Sequence, residues 1–180
     1  GKPSDIPHDA GEALAKVGGA TFQKAGTVPW VIQDGYRRLV EAFRSGDPGK
    51  VAEQAAWLGH YVADLHVPLH TTANHDGQLT GQKGLHARWE SGLVARYVEG
   101  VELPTRPSGS VDPAGDPWIW LEESFSLVPR LLADDLEASR GEARERPVPG
   151  VGYWRNFWAL QGDIVQGRLS VAGHRLAALW

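Results

Sequence analysis

The chain has 180 residues, of which 42% are hydrophobic and 22% charged, and its formal net charge is −4. This length fits a single domain with a sizeable core, and the mildly acidic balance argues against broad electrostatic capture of duplex nucleic acid, which needs a basic face. No apolar run approaches the roughly 18 residues that cross a bilayer, so we expect no transmembrane segment.

Capping residues and prolines mark the starts of the predicted helices. Three starts pair a capping residue with proline in the first turn: Thr27 with Pro29, Asp47 with Pro48, and Asp116 with Pro117. Apolar spacing then predicts helices over residues 10–17, 29–45, 51–65, 85–97, 117–136 (with a kink at Pro129) and 153–180. Segments rich in glycine, proline or charge predict loops over residues 71–84, 100–116 and 139–152. Strand-type alternation is nearly absent, so we predict an all-α, single-domain bundle of five or six helices.

The histidines are concentrated in one stretch of this pattern. Five of the seven lie between His60 and His86, and acidic residues accompany them. His60 and Asp64 are four residues apart on one predicted helix, and His86 and Glu90 repeat that spacing on the next, so each pair projects from one helix face. His70 follows Pro68, where the chain leaves its helix and can turn a side chain back toward either pair.

Such a cluster suits a transition metal. The chain has no cysteine, so any site of this kind is built from imidazole and carboxylate, a ligand set that zinc accepts. A zinc ion with three protein ligands keeps a position open for water and lowers the pKa of that water to about 7. Two or more zinc ions can hold the attacking and leaving oxygens of a phosphoester together.

A single His/carboxylate pair on a helix is more often a surface ion pair than a ligand pair. Two such pairs within about thirty residues, joined by a further histidine, favour metal binding between the helices. His66 lies two residues from Asp64 and is expected to point to another side of the helix. His75, in the loop, is expected to be solvated or to face the substrate.

The run H-Y-V-A-D-x5-H (His60, Asp64 and His70), followed by G-L-H-A-R-W-E (His86 and Glu90), resembles the zinc-dependent phospholipase C and single-strand nuclease superfamily. The spacing from His70 to His86, and glutamate at position 90, are closer to the bacterial phospholipase C branch. The resemblance covers about residues 29–180. It implies a mostly helical fold that holds up to three zinc ions and hydrolyses phosphodiesters.

By this resemblance His70, His86 and Glu90 hold one zinc ion completely. His60 and Asp64 supply half of a second site, Asp64 also bridges to the third, and Asp64 and Glu90 are the candidate catalytic residues. Family members carry further ligands upstream, beginning with an N-terminal tryptophan, whereas this chain begins with glycine and contains no methionine. We therefore expect that an upstream ligand segment has been removed, or that His8 completes the cluster.

We expect a zinc-dependent phosphodiester hydrolase in which zinc-bound hydroxide attacks phosphorus, with phospholipid-like substrates favoured. A single-strand-specific nuclease of the same superfamily is the first alternative. A non-catalytic helical domain with a structural or vestigial zinc site is the second, and a helical interaction module without metal is a third. The resemblance also implies export from the cytoplasm, to the periplasm or the medium.

Overall fold

The computed structural model describes residues 2–99, 110–140 and 150–180, without the side chains of residues 23–25. Over these residues the chain is helical and contains no strand, which confirms the all-α prediction. The helices are α1 Ala10–Val17, α2 Gly19–Ala25, α3 Val28–Ser45, α4 Pro48–Leu65, α5 Leu85–Ala87, α6 Val94–Tyr97, α7 Asp116–Ser126, α8 Val128–Ala138 and α9 Val151–Leu179. Short 3₁₀ turns cover Pro3–Asp5 and Pro68–Thr71, and a π-helical segment, Arg88–Leu93, joins α5 to α6 without a break.

Several helix boundaries differ from the prediction. Helix α4 begins at Pro48, three residues earlier, because the Asp47 carboxylate accepts hydrogen bonds from the backbone N–H groups of Gly49 and Lys50. Helix α2 has no counterpart among the helices predicted from the sequence. Most of the predicted loop at residues 100–116 and of the linker at 139–152 lies outside the described residues.

The predicted kink at Pro129 is a break between two helices. Helix α7 ends at Ser126, Leu127 links it to α8, and Pro129 lies in the first turn of α8. Proline is tolerated there because the first N–H groups of a helix have no intrahelical partner.

Helices α3 and α4 pack as a hairpin on one hydrophobic cluster. The turn between them ends α3 with Gly46 in the left-handed region (φ 69°), a conformation that glycine adopts without steric cost. Side chains from both helices, together with Trp120 of α7 and Leu179 of α9, form the cluster: Ile32, Leu39, Leu58, Val62 and Leu65. This packing fixes α4, the helix that carries His60 and Asp64.

A second hydrophobic cluster fixes the helix that carries His86 and Glu90. Leu85, Trp89 and Leu93, spaced four residues apart, are buried against α8 and α9. Burial of this face leaves His86 and Glu90 on an adjacent, partly exposed face. In the described part of the chain, every helix falls short of the length and hydropathy that a bilayer-spanning helix needs.

Candidate metal centre

Four consecutive elements carry the predicted ligands. His60 and Asp64 lie on the last two turns of α4, His70 on the 3₁₀ turn after it, and His86 and Glu90 on α5 and the π-helical segment. The 3₁₀ turn has Pro68 in its first turn, and the Thr71 hydroxyl donates to the Pro68 carbonyl at 2.7 Å. Pro68 and Leu69 are buried, so the turn is anchored beside His70. The 15 residues between His70 and His86 are thereby closed into a loop.

His70, His86 and Glu90 converge on one point. The Nε2 atoms of the two histidines are 2.8 Å apart. Oε2 of Glu90 lies 2.5 Å from Nε2 of His86 and 3.5 Å from Nε2 of His70. Tetrahedral zinc with bonds of about 2.0–2.1 Å would space its donor atoms by roughly 3.3 Å, so the observed group is a slightly contracted version of such a site.

The chemistry of these donors fits a metal ion. A neutral imidazole nitrogen carries either a proton or a lone pair, and a carboxylate only accepts. Three such atoms at these distances bring several lone pairs together, and a cation can accept a lone pair from each. The group His70, His86 and Glu90 can therefore hold a metal ion. Imidazole and carboxylate suit zinc and several other transition metals, so the donors alone do not fix its identity.

Asp64 links the other predicted ligand to this group. Its Oδ1 atom lies 3.6 Å from Nδ1 of His70, and its Oδ2 atom lies 3.4 Å from Nε2 of His60. Asp64 thus faces the ring nitrogen of His70 that points away from Glu90, a position in which carboxylates commonly orient a metal-binding histidine. The structure brings all five predicted residues together, but only three of them form the converging group. The ligand roles of His60 and Asp64, and the catalytic roles of Asp64 and Glu90, stay predictions.

The remaining histidines of the stretch do not join the group. His66 is buried: its Nδ1 donates to the Val62 carbonyl at 2.7 Å, and its Nε2 accepts from Arg175 at 2.9 Å. Burial and the nearby charges of Arg168 and Arg175 lower the pKa of His66 to about 4. His75 is exposed in the loop. Both findings agree with the expectations from the sequence.

His8 is held elsewhere by aromatic contacts. Its ring stacks on Trp118 with centroids 4.3 Å apart, and its carbonyl accepts from the Trp30 indole at 2.6 Å. Among the described residues it does not belong to a group that could hold a metal. The stacking with Trp118 is a structural role that the sequence did not reveal.

A cavity of about 440 Å³ opens beside the metal group. Asp64 and His70 contribute to its wall, and most of the lining is apolar, from the N-terminal residues and helices α3 and α7: Ile6, Val17, Phe22, Val28, Trp30 and Leu121. Trp118 also lines it, and its buried indole Nε1 has no hydrogen-bond partner among the described residues. A ligand in this cavity would meet an apolar surface next to His70.

Sequence reasoning missed a set of buried polar residues behind the site. Arg88, Asp135, Tyr153 and Gln82 hydrogen-bond to one another on the inner side of the helix that carries His86 and Glu90. A signal exists in the sequence, since Asp135 falls on the apolar face of α8 with Leu131 and Ala138. Its partners lie 18 to 53 residues away, so the sequence alone does not pair them.

Comparison of the chain with protein-family profiles, with curated proteins and with solved structures finds no match. The family resemblance therefore rests on the residue pattern.

Proposed function

We propose that the chain is a zinc-dependent phosphodiester hydrolase of the phospholipase C and single-strand nuclease type. The convergence of His70, His86 and Glu90, with Asp64 against the far nitrogen of His70, carries the proposal. These are the residues that the H-x3-D-x5-H and H-x3-E pattern marks as ligands. Two histidines and a carboxylate with an open position are a ligand set of hydrolytic zinc sites.

The residues of the site would have two roles: some would bind the metal ion, and others would orient a ligand or supply negative charge. A zinc ion bound here would supply hydroxide at neutral pH and act as a Lewis acid on a phosphoryl oxygen. His70, His86 and Glu90 would hold it, and Asp64 would keep the His70 ring oriented. His60 and Asp64, 3.4 Å apart, offer two further donors for a second ion. The negative charges of Asp64 and Glu90 would offset the positive charge of ions bound here.

The exposure of the group supports a catalytic rather than a closed structural site. The side chains of His70, His86 and Glu90 are 24%, 32% and 41% exposed. A structural zinc site is usually closed by four protein ligands, whereas a catalytic site keeps one position for water or substrate. Three converging donors within reach of solvent match the second arrangement.

The lining of the cavity favours one class of phosphodiester substrate over the other. Its lining is mostly apolar, with Lys2, Asp5 and Lys16 as further charged members, so it suits a phosphodiester that carries an apolar group, such as a phospholipid. The net charge of −4 also gives little attraction for a polyanion. We therefore favour a phospholipase C-like activity.

A different surface favours single-stranded nucleic acid as a second candidate substrate. Trp57 of α4 is 53% exposed, and its ring lies 6.3 Å from that of His60 and 6.1 Å from that of Tyr61. Exposed aromatic rings next to a metal site can stack on bases, each worth about 1–3 kcal/mol. The surface is small and lies on one helix, so this candidate ranks second.

Hydrolysis assays with zinc-loaded protein test the proposal. The substrates are a short-chain phosphatidylcholine, single-stranded DNA and bis(p-nitrophenyl) phosphate, and His86→Ala is the control variant. We expect release of phosphocholine that a chelator abolishes, zinc restores and His86→Ala lacks. Cleavage of DNA alone would favour the nuclease, and zinc binding without any hydrolysis would favour the non-catalytic alternative.

A further inference from the structure

We propose that Arg88 and Asp135 form a clamp that positions His86 and Glu90 for metal binding. Arg88 lies between the two ligands in the sequence, and Asp135 lies on α8, 47 residues further along the chain. Neither residue belongs to the metal group, so both would act as positioning residues. The inference rests on the metal centre of the proposed function.

Asp135 is the buried anchor of this clamp. Its side chain is 3% exposed, and a buried carboxylate is costly unless it is paired and hydrogen-bonded. Three groups satisfy it: the Arg88 guanidinium at 3.0 and 3.2 Å, the Tyr153 hydroxyl at 2.5 Å and the Gln82 side-chain amide at 2.8 Å. The anchor therefore joins α8 to α9, to the loop before α5 and to the π-helical segment.

The Arg88 guanidinium carries this connection to the loop. Its Nη1 atom donates to the carbonyl of Lys83 at 2.9 Å, and its Nη2 atom donates to the carbonyl of Gln82 at 3.1 Å. Helix α5 begins at Leu85 without a side-chain N-cap, so these bonds, with that of Gly84 N–H to the Asp76 carboxylate at 3.0 Å, fix where the helix starts.

Tyr153 holds the same point from α9. Its hydroxyl donates to Asp135 and accepts from Nε of Arg88 at 2.9 Å. Burial and the adjacent carboxylate of Asp135 raise the pKa of the Tyr153 phenol well above its usual range, so the hydroxyl keeps its proton and remains a donor. The ion pair is thereby enclosed by a neutral donor rather than by a third charge.

Because Arg88 and the two ligands lie on opposite sides of one helix, anchoring Arg88 also fixes the positions of His86 and Glu90. Residues four apart share a helix face, and a residue two positions from each lies on the opposite side. His86 and Glu90 therefore face His70 while Arg88 faces Asp135. Arg88 and Glu90 both lie in the π-helical segment. Such segments are rarer than α-helix and are frequent at functional sites. A rigid inner anchor would hold its outer face in register with His70.

Cobalt binding by the full chain tests this proposal, because Co²⁺ occupies zinc sites and its visible bands report ligand geometry. The variants are Arg88→Lys, which keeps the charge without the planar fork, and Asp135→Asn. Loss of a partner that hydrogen-bonds a ligand lowers metal affinity by about 10- to 100-fold. Arg88 and Asp135 act one step further from the metal, so we expect a decrease of up to about 10-fold and altered Co²⁺ bands. Leu39→Ala, in the hydrophobic cluster of α3 and α4, is the control for general destabilisation. It should lower Tm and leave affinity and bands unchanged.

Unchanged affinity and bands in folded Arg88→Lys and Asp135→Asn would overturn the clamp. If circular dichroism shows that either variant does not fold, Tyr153→Phe decides, since it removes one hydroxyl from the same anchor. A shift in the Co²⁺ bands of Tyr153→Phe supports the clamp, and unchanged bands overturn it. A wild-type chain that binds no Co²⁺ overturns both the metal centre and the clamp. Co²⁺ binding without hydrolysis of any phosphodiester overturns only the proposed activity.

Discussion

Replacement of Glu90 by glutamine should remove most of the metal affinity while leaving the metal-free protein intact. Glu90 supplies the charged donor of the converging group, 2.5 Å and 3.5 Å from the Nε2 atoms of His86 and His70. Glutamine has the same size but no charge. Loss of an outer-shell partner alone lowers metal affinity by about 10- to 100-fold, so loss of this ligand should weaken zinc binding by at least about 100-fold.

This loss has a calculable effect on thermal stability. At free zinc 1,000 times the wild-type Kd, binding stabilises the folded state by about 4.1 kcal/mol. A 100-fold weaker Kd leaves about 1.4 kcal/mol at the same zinc concentration. In a domain of about this size 1 kcal/mol corresponds to about 2–4 °C, so the zinc-induced rise in Tm should shrink by roughly 5–11 °C.

Without zinc the substitution should have little effect. The Glu90 side chain is 41% exposed, and an ion pair at such a position contributes at most about 1 kcal/mol. Calorimetry of both proteins with chelator and in buffered zinc separates the two contributions. Glu53→Gln, at an exposed position of α4, is the matched control. Equal zinc-induced rises in Tm for wild type and Glu90→Gln would refute the ligand assignment.

Three further outcomes follow from the geometry. Gly92→Ala would place a Cβ 2.4 Å from the Trp154 ring, so urea unfolding should show that the free energy of unfolding falls by about 1–3 kcal/mol. Gly167→Ala, with open space around it, should leave the free energy of unfolding unchanged or raise it. The pKa of His66 is lowered from 6.5 in the unfolded chain to about 4 in the folded chain. Between these two pH values the unfolded chain binds a proton that the folded chain does not. The free energy of unfolding should therefore fall by about 3 kcal/mol as pH decreases from 6.5 to 4. His66→Gln should flatten that pH dependence, and an unchanged slope would refute the assignment. Asp64→Asn should lower zinc affinity by about 10- to 100-fold through His70, measured by competition with a chelating dye.

The local parts of the site could be predicted from the sequence because they depend on helix spacing. Four-residue separation places His60 beside Asp64 and His86 beside Glu90, and the ion-pair distances of 3.4 and 2.5 Å confirm both. The bend at Pro68 returns His70 toward both pairs, as expected. These relations need no knowledge of distant packing.

The parts that the sequence did not reveal depend on contacts between distant residues. His86 and Glu90 are four residues apart in the sequence whether the chain between them is α-helical or enters the π-helical segment. The sequence pattern therefore does not distinguish the two helix types. Packing of the Trp154 ring against Gly92 and the bond from Tyr153 to Asp135 bring α9 against this segment. Asp135 falls on the apolar face of α8, but its partners lie 18 to 53 residues away, so the sequence does not pair them. Tertiary contacts of this kind override local preference.

Metal stoichiometry of the purified chain tests the central claim most directly. Wild type, His70→Ala and His86→Ala are dialysed against zinc, and the bound metal is counted by elemental analysis before and after exhaustive chelation. We predict at least one tightly held zinc ion in wild type and a loss of that ion in each variant. A wild-type chain that retains no zinc, or variants that retain as much as wild type, would contradict the account.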